Sequence, residues 1–131
     1  MTTARRHTDK AKHNEALLGP LSALGTHPDW VITTAFYAAV HWVRAFLAVH
    51  GVASRAGEQL KYEEFGKELN NLRAQGVNVG SLRSNFEGLM ELSFKTRYDC
   101  YGKQWYADRV DDAQDYLSDI RAHVTANGVT P

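Results

Sequence analysis

The chain has one cysteine, three prolines and no excess of either charge among its 131 residues. With Cys100 alone, no intramolecular disulfide can form. No secretory pattern precedes it either, so the expected setting is the reducing cytoplasm. Fifteen basic and fifteen acidic side chains cancel to a formal net charge of zero. Whole-molecule charge therefore cannot be the means of holding nucleic acid, and any RNA or DNA contact has to be a local patch. No stretch alternates apolar and polar residues over strand length, which argues against a sheet. Gly-rich phosphate loops, zinc-ligand spacings and nucleophile motifs are all lacking, so no metal or other cofactor is expected.

What the chain does have is helical periodicity. Hydrophobic residues make up 44% and charged residues 23%, the balance of one globular domain spanning 1–131. The opening "MTTARRHTDKAKH" is polar and basic without apolar rhythm, so residues 1–8 are expected to form a flexible arm. Leu17, Leu18, Leu21 and Leu24 then predict a first helix over about 9–24, kinked or broken at Pro20 by the missing amide donor. In "THPDW", Thr26 is placed to cap the amide of Asp29, Pro28 suits an early helical position, and Asp29 complements the helix dipole. Gly51 supplies the stop, and Ile32, Phe36, Ala39, Val40, Val43 and Leu47 form one wide apolar face.

After a polar turn, "VASRAG", Tyr62, Phe65, Leu69 and Leu72 recur at helical intervals up to Gly76. Ser81 opens a segment with Leu82, Phe86, Leu89 and Leu92 facing inward. A last helix over about 105–126 carries Val110, Ala113, Leu117, Ile120 and Val124. The expectation is an all-α, up-and-down bundle of four to five antiparallel helices. The apolar run from Trp30 to Val49 nearly reaches membrane-spanning length, but Arg44 near a bilayer centre would cost about 2.5–3.5 kcal/mol. It reads as a core helix, with no membrane partner.

Three groups of residues carry chemistry. Tyr37, His41 and Arg44, at i, i+4 and i+7, fall within one narrow arc of that apolar helix. They either hydrogen-bond within the core, with Arg44 on a carboxylate, or build a polar pocket or dimer seam. The segment "KTRYDCYGKQWY" interleaves Lys95, Arg97 and Lys103 with Tyr98, Tyr101, Trp105 and Tyr106. Cations suit phosphates and aromatic faces suit bases, whereas aromatics at a helix junction also simply pack. Asp108, Asp112, Asp115 and Asp119 form an acidic stripe that reads as a solvated face or a partner surface, since a divalent cation needs converging oxygens.

"TTAFYAAVHWVRAFLAVHGV" resembles the signature second helix of the HEPN superfamily (higher eukaryote and prokaryote nucleotide-binding), with its aromatic-Tyr-Ala, His and apolar run to Gly. "LMELSFKTRYDCY" resembles the Leu-Arg-x-x-x-Asp-Tyr segment that precedes the last helix of small bacterial members, and "ADRVDDAQDYLSDIRAHV" matches that last helix. The likeness spans about residues 10 to 125. It implies a helical bundle, usually a homodimer, often paired with a minimal nucleotidyltransferase in toxin–antitoxin or defence systems. Active members are metal-independent ribonucleases using an Arg-x(4–6)-His motif. Histidine titrates near neutrality and can move the 2′-hydroxyl proton, while arginine steadies the phosphorane.

This sequence departs from the pattern at that motif. The positions four to seven beyond Arg97 are Tyr101, Gly102, Lys103 and Gln104, and Ser93 stands where the Leu-Arg arginine aligns. Arg44 and His50 satisfy Arg-x(5)-His away from the motif's place. Tyr37 and His41 match the second-helix signature, and Tyr98 and Asp99 partly match the later segment. The expected roles are Arg97 as phosphate clamp and His41 as proton-transfer group. Tyr37, Arg44, Tyr98 and Asp99 are expected to support binding. Three functions follow as expectations: a defence or toxin–antitoxin component binding RNA or nucleotide, a non-catalytic interaction module, and a small-ligand pocket in the bundle core.

Overall fold

The computed structural model describes residues 2–52 and 60–131, so most of the "VASRAG" turn lies outside the described residues. The chain forms an all-α helical bundle, with no strand among the described residues. Its elements are α1 (Thr3–Glu15), α2 (Leu18–Leu24), α3 (Pro28–Val49), a 3₁₀ turn (Tyr62–Glu64), α4 (Phe65–Ala74), α5 (Leu82–Tyr98) and α6 (Lys103–Ala126).

α3 is the axis of the fold. It packs against α1, α2, α4, α5 and α6, and its largest contacts are with α1 and α6. It is long and apolar enough to cross a membrane by length and composition, yet 72% of its most apolar window is buried inside the fold. Ile32, Ala35, Phe36, Ala39, Val43 and Phe46 are fully buried against Phe65, Leu69, Phe86, Leu89, Ala113 and Ile120 from the surrounding helices. Burying one such large side chain contributes about 1.5–3 kcal/mol, so this layer supplies much of the fold's stability.

The ends of α3 follow the sequence in part. Pro28 and Asp29 occupy the first turn, but the cap position falls on His27, which makes no side-chain cap. Thr26 spends its hydroxyl on the His27 ring, 2.7 Å away, rather than on the Asp29 amide. At the other end, Gly51 takes φ +85° and the amide of Val52 bonds the Leu47 carbonyl at 2.9 Å. That closure satisfies a helix-end carbonyl and requires a left-handed residue.

The N-terminal region departs most from expectation. The supposed arm is helical from Thr3, and the helix foreseen over 9–24 is two helices broken at Ala16 and Leu17. Pro20 falls in the first turn of α2, where an absent amide costs nothing. α1 lacks large apolar residues; it buries Thr8 and Ala11 instead, against a central helix rich in alanine. Small side chains let two helix backbones approach closely, so α1 docks without a hydrophobic stripe.

Candidate functional site

α3 is buried nearly all round. The residues left partly or wholly exposed between its ends are Trp30, Thr34, Tyr37, His41, Arg44 and Ala48, followed by Val49. Their spacing alternates between three and four, so they form a single line along the helix. Tyr37 is 42% exposed and Trp30 56%. Neighbouring helices border this line and supply partners to it.

Arg97, near the end of α5, reaches Tyr37: its Nη1 donates to the Tyr37 hydroxyl at 2.9 Å. The guanidinium sits over four rings, with centroids 5.6 Å away for Phe36 and Tyr37, 5.0 Å for Phe94 and 5.3 Å for Tyr98. Such contacts are worth about 0.5–2 kcal/mol each and hold a flexible cation in one place. Its Nε lies 3.4 Å from the Ser93 carbonyl oxygen, and its Nη2 is buried without a hydrogen-bond partner. Tyr98 stands beside it, 74% exposed. Asp99 terminates α5 and accepts from the Tyr101 hydroxyl at 3.2 Å, away from Arg97.

His41, one turn along α3 from Tyr37, meets α1 instead of Arg97. Its Nδ1 lies 3.0 Å from Nδ1 of His7, with the rings stacked at 5.2 Å and 27°. One ring must carry its proton on Nδ1 and the other must accept. Burial above all holds His41 down at about 4, against a usual 6.5, with further lowering by His7, Arg44 and Lys10. His7 is lowered as well, by burial and by Arg44. Arg44 donates from Nη2 to the Leu60 carbonyl at 3.1 Å and lies over the Phe65 ring at 5.6 Å.

Several sequence expectations separate here. His41 and Arg97 both edge the α3 line, but each is held by a different partner. Ser93 is fully buried, so the position aligned with the HEPN arginine faces the core and Arg97, one turn on, faces the surface. Arg44 and His50 do not meet. His50 packs on Phe46 and bonds the Asn127 carbonyl at 2.8 Å, because residues six apart on a helix point about 120° away from each other. His7 escaped the sequence reading entirely.

The aromatic-basic segment divides into two. Lys95 pairs with Glu91 at 3.1 Å, while Arg97 and Tyr98 flank the α3 line. Beyond Asp99 the rings engage one another: Tyr101 stacks on Trp105 at 3.9 Å and 9°, and the Arg109 guanidinium sits 4.1 Å from the Trp105 ring. A Trp105 ring so occupied pins the α5–α6 turn and offers little to a base. Asp108, Asp112, Asp115 and Asp119 of the α6 stripe are exposed, and no group of three or more His, Cys, Asp or Glu converges for a metal among the described residues.

Fold and geometry together define a small all-α bundle with one cationic, aromatic-edged strip on its central helix. The chain matches no protein-family model, no curated protein and no solved structure.

Proposed function

We propose that the α3 strip binds phosphate-bearing ligands, a nucleotide or single-stranded RNA. In this reading the protein is a HEPN-like component of a bacterial toxin–antitoxin or defence system, working in the cytoplasm. The observation that carries the reading is Arg97, its cation held in place by four rings, with two exposed tyrosines at its sides. A phosphate is drawn to the positive charge of the Arg97 guanidinium, and bases stack on Tyr37 and Tyr98. Stacking is worth about 1–3 kcal/mol per base and tolerates any sequence.

Metal-independent cleavage is the possible activity of this site, with Arg97 as phosphate clamp and His41 as proton-transfer group. The lowered His41 favours a neutral imidazole, which is competent as a base at neutral pH. The test is fluorescence anisotropy with a short single-stranded RNA, alongside an RNase assay in EDTA. Arg97→Ala and Tyr37→Ala should each weaken binding about tenfold, and His41→Ala should abolish any cleavage. Equal binding by all variants overturns the assignment.

A second reading is a non-catalytic interaction module, a homodimer or a partner of a minimal nucleotidyltransferase. The run of exposed α3 positions at heptad-like spacing, headed by Trp30, favours it, since such a line suits a helix–helix seam. It predicts a dimer by light scattering that Trp30→Asp dissociates, with no RNA cleavage.

A further inference from the structure

His7 and Lys10, both on α1, extend the strip beyond the residues that the sequence singled out. We propose that His7, Lys10, His41 and Arg44 form an anion site whose occupant, a phosphate or phosphodiester group, is bound together with one proton. The proposal rests on the reading that the strip takes phosphate-bearing ligands, and adds what the paired imidazoles do there.

The chemistry follows from the Nδ1–Nδ1 contact of 3.0 Å. In the neutral pair one ring donates its Nδ1 proton and keeps a lone pair on Nε2. The other accepts at Nδ1 and carries its proton on Nε2. The pair thus has one vacant basic nitrogen. A proton from solvent adds to that Nε2, giving an imidazolium whose Nδ1–H still donates to the neutral partner. The contact survives, strengthened by charge, and the site gains one positive charge.

Without a ligand that gain is opposed. Lys10 comes from α1 and Arg44 from α3, and both repel a charged His41; Tyr62 acts on Arg44 in the other direction. On the α5 side the cation is Arg97, which is held on Tyr37. Among the described residues, no carboxylate is among the groups that shift His41 or His7. An anion seated among these cations reverses the balance, because it favours the charged imidazole as strongly as the charged imidazole favours it. Phosphate binding and proton uptake are then one event. Affinity should rise as pH falls, by up to about tenfold per pH unit wherever the bound pair is protonated and the free pair is not.

The test uses two probes, sulfate and an oligouridylate, whose own groups do not titrate over the range used, about pH 5.5 to 7.5. Binding is followed by long-range ¹H–¹⁵N spectra of the histidine rings and by anisotropy. The expected result is complementary tautomers at pH 7.5, one ring proton gained on adding sulfate at pH 5.5, and oligouridylate affinity at least about tenfold higher at pH 5.5 than at 7.5. His41→Gln should flatten that pH dependence. Lys10→Gln, an exposed change that leaves the α1–α3 contact intact, should weaken sulfate binding and let the free pair protonate at higher pH. Oligouridylate binding that is independent of pH overturns the proton coupling and leaves the RNA reading standing. Sulfate bound with proton uptake but no oligouridylate binding supports the coupling and removes the RNA reading. Absence of both interactions overturns both.

Discussion

Acidification should destabilise this protein through the His7–His41 pair, well above the pH at which carboxylates protonate. An unfolded histidine takes up its proton near pH 6.5, whereas His41 in the fold does so near 4. Between those values the unfolded chain holds more protons than the folded one, so stability falls as pH drops. The contribution is fully present above about 6.5 and is lost progressively down to about 4. At about 1.4 kcal/mol per tenfold change, His41 alone sets a ceiling of about 3 kcal/mol. Both rings are only partly buried, so solvent screening brings the effect nearer to about 1–2 kcal/mol. His7 acts in the same direction.

Urea unfolding followed by far-UV circular dichroism, at intervals from pH 7.5 to 4.5, measures this directly. His41→Gln keeps a polar side chain opposite His7 but cannot charge. The chain holds four other histidines, so the informative quantity is the difference between wild type and variant. The wild-type advantage at pH 7.5 should shrink by about 1–2 kcal/mol by pH 4.5. Parallel curves for the two proteins, or an advantage that grows on acidification, would refute the coupling of burial and positive charge at this pair.

Two further substitutions probe the packing. Ser93 is fully buried and its hydroxyl has no partner, while its carbonyl, which Arg97 approaches, is backbone; Ser93→Ala should therefore stabilise by about 0.5–1.5 kcal/mol in the same urea assay. A loss of stability would mean that the hydroxyl has a partner after all. Ala11 is fully buried on the α1 face that docks on α3, and Ala11→Leu should cost about 1–3 kcal/mol by overpacking, with early hydrogen exchange across α1; unchanged exchange there would show that α1 does not depend on close approach.

α3, α5 and α6 were legible because large apolar residues recur there at helical spacing, and Gly51 and Gly76 mark real helix ends with positive φ. α1 was not, for a definite reason. Its contact face is Thr8 and Ala11, whose small side chains carry almost no hydropathy signal, and their value depends on the alanines of a helix elsewhere in the chain. The same distance hides His7, whose partner lies 34 residues on. Thr26 was misassigned because its hydroxyl has two competing partners, a helix amide and the neighbouring His27 ring, and local pattern cannot rank them.

The polar line on α3 has a physical logic that joins these points. A central helix surrounded on all sides would need only apolar residues. This one is enclosed except for a strip one residue wide, and two polar groups on the strip are answered from flanking helices: Tyr37 by Arg97, His41 by His7. Arg44 is answered by the Leu60 carbonyl. Arg97 and His7 are themselves basic, so the strip gathers positive charge, and among the described residues no carboxylate acts on His41. Such an arrangement is poor as a stabilising device, because it repels itself and keeps two histidines from protonating. It becomes favourable when an anion is bound, which is why the same residues that cost the apo fold stability on acidification are the ones we assign to the ligand.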